Sequence, residues 1–112
     1  MWGRTTPASV HRDLYLMYSV GQNTQVMRIE FAKSARRHRI GRARARHVIA
    51  HPVVKVTVPG EEGRDDRLVY LGDDPTGRAL EVTAVPIEAG ILVIHVMDLR
   101  PKWRPLYEEG KR

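Results

Sequence analysis

Arg67-Leu68-Val69-Tyr70-Leu71-Gly72-Asp73-Asp74-Pro75-Thr76-Gly77-Arg78-Ala79-Leu80-Glu81-Val82-Thr83-Ala84-Val85 decides how the chain folds. Two aliphatic runs flank a cluster of Gly, Asp and Pro, the composition of a tight connection between strands. The same grammar extends in both directions. Upstream, Val53–Val58 ends at Pro59-Gly60 before the acidic loop Glu61–Asp66. Downstream, Glu88-Ala89-Gly90 makes a turn into Ile91–Leu99, the most apolar run of the chain. Four β-rich runs joined by such short connections predict an antiparallel meander. In the last run, strict alternation puts Ile91, Val93, His95, Met97 and Leu99 on one face and Leu92, Ile94, Val96 and Asp98 on the other. Apolar groups on both faces predict a central strand.

Before the meander the period changes. Met27–Phe31 alternates apolar residues with Arg28 and Glu30, as a half-buried strand does. Ala32–Arg39 and Arg42–Ala50 are rich in Ala and Arg without internal Pro, separated by Gly41 and stopped by Pro52, and read as two short helices. The tail contains Pro101 and Pro105 and then Leu106-Tyr107-Glu108-Glu109 before Gly110, a turn followed by at most a short helix. The expected class is α+β: an N-terminal strand, two short helices, a four-stranded antiparallel meander and a short C-terminal helix or turn. Residues 27–112 form one domain on this reading. Residues 1–26, less regular, read as an N-terminal extension, either outside the native chain or packed on the sheet as an additional strand.

The chain of 112 residues holds 19 Lys and Arg against 13 Asp and Glu, a net charge of +6. Its distribution is uneven: residues 1–26 carry +1, 27–51 carry +7, 52–99 carry −5 and 100–112 carry +3. Seven of the eight basic residues in the second segment are Arg, whose planar fork matches phosphate better than the point charge of Lys. A nucleic acid is therefore the expected partner, although a solvated basic helix face gives the same counts. The absence of cysteine excludes disulfides, thiolate nucleophiles and Cys-ligated metal sites. The charge-poor stretch Leu14–Val20 is too short to span a membrane and ends without a cleavage site, so a cytoplasmic location without membrane contact is expected.

Several residues can carry chemistry on RNA. His95 stands in an otherwise apolar strand near its carboxyl end, either as a titratable base or as a bonded core histidine. His38 lies between two Arg residues, either as a base or as a helix-capping side chain. Arg100, Lys102 and Arg104 interleave with Trp103 and Tyr107, so that cations can hold phosphates while rings stack on unpaired bases. The alternative is that Trp103 and Tyr107 cover the sheet. Arg67 and Arg78 open adjacent strands and either face the same surface or pair with Asp65, Asp66 or Asp74. His47 and His51 have the spacing of a helical metal pair but lack a third ligand, so neither a metal nor another cofactor is expected.

The ordered pattern resembles the BrnT-like toxins of bacterial type II toxin-antitoxin systems, within the RelE-like group of small ribonucleases. The similarity runs over about residues 29–109. It rests on Lys33, on Arg37-His38-Arg39-Ile40 where the family has a basic residue, His, Gly and an aliphatic, and on Ala50-His51-Pro52 where it has Asp-Pro. Arg67-Leu68-Val69-Tyr70-Leu71-Gly72, Gly77-Arg78-Ala79-Leu80, Arg100 and Tyr107-Glu108-Glu109 continue it. This chain has Arg39 in place of the Gly, lacks the Asn of the first helix and is richer in Pro across Arg100–Pro105.

The resemblance implies metal-independent RNA cleavage by 2′-hydroxyl attack, on messenger RNA that can be ribosome-bound, with inhibition of translation. It also implies neutralisation by a cognate antitoxin in a hetero-oligomer. The candidate catalytic set is His38, His95, Arg100, Lys102, Arg104 and Tyr107. The RNA-binding set is Arg36, Arg37, Arg39, Arg42, Arg46, Arg67, Arg78 and Trp103. The competing function is a non-catalytic module that uses the Arg-rich helical surface on nucleic acid or on an acidic antitoxin.

Overall fold

The computed structural model describes residues 11–20 and 23–112, with side chains from Met27 onward. Its elements run β1 (His11–Val20), β2 (Asn23–Phe31), a 3-10 turn at Lys33–Arg36, α1 (Arg42–Ala50), β3 (Val54–Val58), β4 (Arg67–Asp73), β5 (Ala79–Ile87), β6 (Gly90–Asp98), a second 3-10 turn at Pro101–Trp103 and α2 (Arg104–Gly110). The class is α+β, and β3 to β6 form an antiparallel meander. The sheet is larger than the meander. Its six strands follow the order β1-β2-β6-β5-β4-β3, with β2 parallel to β6, so it is mixed. β2 starts at Asn23 rather than Met27, and β1 adds an antiparallel edge strand from the leader. Residues 1–10 and 21–22 of that leader, including Thr5-Thr6-Pro7 and Gly21-Gln22, lie outside the described residues.

The mixed topology has a steric condition at Gly90. Residues Arg28–Phe31 pair with Gly90–Val93, and a Cβ on Gly90 would overlap the backbone carbonyl of Arg28. Only glycine lets β2 approach there. Between β2 and β3 the chain must travel from one side of the sheet to the opposite edge. α1 makes that crossing, packing on β4 and β5. It buries Ala45, Val48 and Ile49, the i, i+3, i+4 face of a helix that starts after Gly41 and ends before Pro52. These join Ile29, Phe31, Leu80, Val82, Val93 and Val96 in the principal core. Each large aliphatic or aromatic group buried there stabilises the fold by about 1.5–3 kcal/mol.

Only four residues of the expected first helix are helical, the 3-10 turn Lys33–Arg36. The segment presents Lys33, Arg36, Arg37 and Arg39 with no acidic residue in its first turn, so like charges crowd successive turns without compensation. It ends where Arg39 takes a left-handed conformation with φ of 61°. That geometry costs a residue bearing a Cβ about 1–2 kcal/mol.

The opposite face of the sheet carries a second cluster of Val69, Leu71, Leu99 and Tyr107, with Trp103 packed beside it. Tyr107 on α2 donates its hydroxyl to Asp73 Oδ1 at 2.5 Å, and Lys111 Nζ reaches Asp73 Oδ2 at 2.8 Å. Burial alone would raise the Asp73 carboxyl, but the hydrogen bonds from Lys111 and Tyr107 outweigh it and leave the carboxyl below its ordinary 3.8. Among the described residues no helix is long and apolar enough to cross a membrane.

Candidate functional site

Strict alternation fails in β6, and the failure shapes the site. Thr83 lies opposite His95, whereas the next residue, Ala84, lies opposite Val93; β6 therefore carries one extra residue, Ile94. A β-bulge of this kind reverses the facing of everything beyond it. Ile91 and Val93 share the α1-side core with Val96, not with His95 as the sequence pattern predicts. His95 and Met97 consequently stand on the other face, in line with Thr83 and Glu81 of β5.

The pairing of β2 with β6 stops at Phe31 and Val93, just before the bulge. There the chain leaves the sheet: Ala32 donates its N–H to Val93 O at 2.8 Å, and Ser34 Oγ donates to Ile94 O at 2.8 Å. These two bonds fasten the 3-10 turn beside the freed edge of β6. They bring the residues that follow, Arg37 and His38, to a cleft of about 350 Å³ lined also by Arg67, Thr83, His95, Met97 and Arg100. A fork between two strands has thus become a concave site with five cationic or imidazole side chains.

His95 is partly buried in this cleft. Its pKa is lowered from the ordinary 6.5, first by burial and then by Arg67, His38, Arg100 and Arg37. That shift favours the neutral imidazole, the form that accepts a proton. Arg100 is held differently from its neighbours. Glu81, fully buried in β5, accepts Arg100 N at 2.9 Å through Oε1, and Arg100 Nε at 3.0 Å and Nη2 at 2.7 Å through Oε2. Those bonds raise the guanidinium pKa further. Arg37, His38 and Arg67 make no ion pair among the described residues.

The remaining candidates divide into three groups. Arg36, Arg39 and Arg42 border a separate cavity of about 440 Å³ whose walls include Phe31, Ala35 and Ile40. Arg46 is half-buried on α1. Arg78 pairs with Asp98 through Nε at 2.7 Å and Nη2 at 3.1 Å, rather than with Asp65, Asp66 or the carboxylate of Asp74. Asp74 instead caps its own turn, accepting from Thr76 N, Thr76 Oγ1 and Arg78 N, with Arg44 3.5 Å away.

The tail residues proposed alongside Arg100 do not line the His95 cleft. Lys102 lies over the Trp103 ring, Arg104 pairs with Glu108 at 3.3 Å, and Tyr107 is buried in the second cluster. His47 and His51 stack with ring centroids 4.8 Å apart. Among the described residues no three His, Cys, Asp or Glu side chains are grouped to hold a metal.

Glu81 and Thr83 are the residues that sequence reasoning passed over. The signal for Glu81 was present: a lone carboxylate inside the apolar run Leu80–Val85 must find a cation or remain neutral when buried. The partner, 19 residues further on, could not be read from the run itself. Fold and cleft together define a small α+β domain with a cationic, imidazole-bearing cleft at a strand fork. No protein-family model, curated protein or solved structure matches the chain.

Proposed function

We propose that this chain is an endoribonuclease toxin of the BrnT-like, RelE-like kind, which cleaves RNA without a metal and is held in check by an antitoxin. The observation that carries the reading is the position of His95 inside a cleft ringed by Arg37, Arg67 and Arg100, where burial and those cations lower its pKa. Two further features support it. The chain is α+β, with β2, a turn region and α1 ahead of an antiparallel meander. Arg39 adopts the left-handed conformation at the position where the resembled family has Gly.

In the proposed reaction the three guanidinium groups hold one phosphodiester and stabilise the charge that gathers on its oxygens. His95 removes the 2′-hydroxyl proton. The 2′-oxygen forms a bond to phosphorus as the bond to the 5′-oxygen breaks, and a proton passes to that leaving oxygen at His38. The products are a 2′,3′-cyclic phosphate and a 5′-hydroxyl end, with no net gain or loss of protons. An acidic antitoxin segment laid over Arg37 and Arg67 blocks the same groups by competition.

The test is incubation of purified protein with single-stranded RNA in the presence of a chelator, followed by analysis of the ends. Cyclic phosphate termini that disappear in His95→Ala support the reading. Salt-dependent RNA binding without cleavage by the intact chain would sink it in favour of a non-catalytic binding module.

A further inference from the structure

We infer that Glu81 is a positioning residue for anion binding, locking the Arg100 guanidinium so that its free edge faces the cleft. The inference extends the proposed function by assigning a role in the same site to a residue that never meets the RNA. Its basis is geometric. Glu81 is 0% exposed and engages both the backbone N–H of Arg100 and the Nε/Nη2 edge of its side chain. The two Nη1 donors of Arg100 have no partner among the described residues, the side chain is 47% exposed, and Arg100 lines the cleft. A free arginine samples many rotamers; this one is held through Nε and Nη2, both on Glu81 Oε2, and a planar guanidinium with one edge fixed presents the other edge in one orientation.

The register explains why Glu81 can do this. It sits opposite Met97, two residues along β5 from Thr83, which is opposite His95. Glu81, Thr83, His95 and Met97 therefore form a patch of one sheet face, and Arg100 comes two residues after β6 ends. The carboxylate anchors the cation from below while remaining closed to an incoming phosphate.

Charge alone and positioning predict opposite outcomes. Glu81→Gln removes one negative charge from beneath the cleft, so a purely electrostatic role makes phosphate bind more tightly. Positioning makes it bind more weakly, because Arg100 is released. The probe is inorganic phosphate, with affinity read from NMR shifts of the His95 and His38 imidazoles at constant ionic strength and retained fold checked in the same spectra.

The expected result is a fivefold or greater loss in Glu81→Gln, a similar loss in Arg100→Ala, and no further loss when both changes are combined. Arg100→Lys provides the second variant: it preserves the charge and loses the fork, and a comparable weakening is expected. Unchanged or tighter phosphate binding in Glu81→Gln or in Arg100→Lys overturns the inference, as does failure of the wild-type protein to bind phosphate at all. If wild type binds phosphate with this pattern yet cleaves no RNA, the ribonuclease reading fails and the positioning role stands. If wild type cleaves RNA and both variants bind phosphate as wild type does, the positioning role alone fails.

Discussion

Two basic regions look alike in the sequence and differ in the fold. The segment around Arg37-His38 and the tail Lys102–Arg112 both concentrate cations, yet their cations have different fates. In the tail, Arg104 faces Glu108, Lys111 binds Asp73 and Arg112 lies 4.0 Å from Glu109. In the cleft, Arg37 and Arg67 face His95 rather than carboxylates, and the one paired guanidinium, Arg100, keeps an open edge. A count of charges thus does not separate the paired cations Arg104, Lys111 and Arg112 from Arg37 and Arg67, which are not paired with carboxylates. What distinguishes them is whether a carboxylate stands within reach, which depends on the register of the strands.

The comparison is tested most severely by activity. His95→Ala is expected to lower RNA cleavage by about 100- to 10,000-fold, the range of a lost general base, whereas Lys102→Ala and Arg104→Ala change the rate by less than about threefold. Measured initial rates that fall equally for the tail variants would erase the distinction between the regions.

A stability measurement probes the tail from the other direction. Tyr107→Ala removes a buried ring from the second core cluster and frees Asp73, at an expected cost of about 3 kcal/mol in urea unfolding. RNA binding measured well below the unfolding midpoint should persist, because Tyr107 does not line the cleft.

The regions should also separate in pH. His95 has a folded pKa below 6.5, so the acidic limb of kcat/KM is expected to have its midpoint under pH 6.5. Below 6.5 an unfolded chain takes up the proton more readily than the folded one, and this contribution to stability declines as pH falls toward the folded pKa. Asp73 is lowered from 3.8, so its anchoring of α2 is fully present above that value and is lost as pH drops through the lower folded value. A tail that loosened before the cleft titrated, followed by NMR of Tyr107 and His95, would reverse this order.

The smallest effect concerns the backbone. Arg39→Gly relieves the left-handed strain while adding chain entropy to the unfolded state, for a net stabilisation of about 0.5–1 kcal/mol. A thermal melt unchanged or lowered by the substitution would show that the Arg39 side chain contributes more to the fold than its backbone costs.

Much of the fold was legible because its signals are local. The turn at Gly72–Gly77, the strands on either side, α1 between Gly41 and Pro52, and the short final helix follow from residues within a few positions of one another. The parallel pairing of β2 with β6 was not legible, since it joins Phe31 to Val93 and depends on the missing side chain of Gly90. Ala and Arg have high helix propensity and so predict a longer first helix, while the structure requires the chain to bend at Arg39 within a few residues. For the candidate site, the residue types at His38, His95, Arg37, Arg67 and Arg100 are legible, but that the cleft brings these five together and leaves out Lys102, Arg104 and Tyr107 is not.

By itself the sequence determined the α+β class, the meander and the placement of its basic residues, because hydrophobic period and turn chemistry act over short distances. Tertiary structure decided which of those basic residues converge. One extra residue at Ile94 turns His95 out of the α1-side core, and the end of the β2–β6 pairing opens the edge beside it. Facing in a strand depends on register with a neighbour, and that neighbour comes from the far end of the chain.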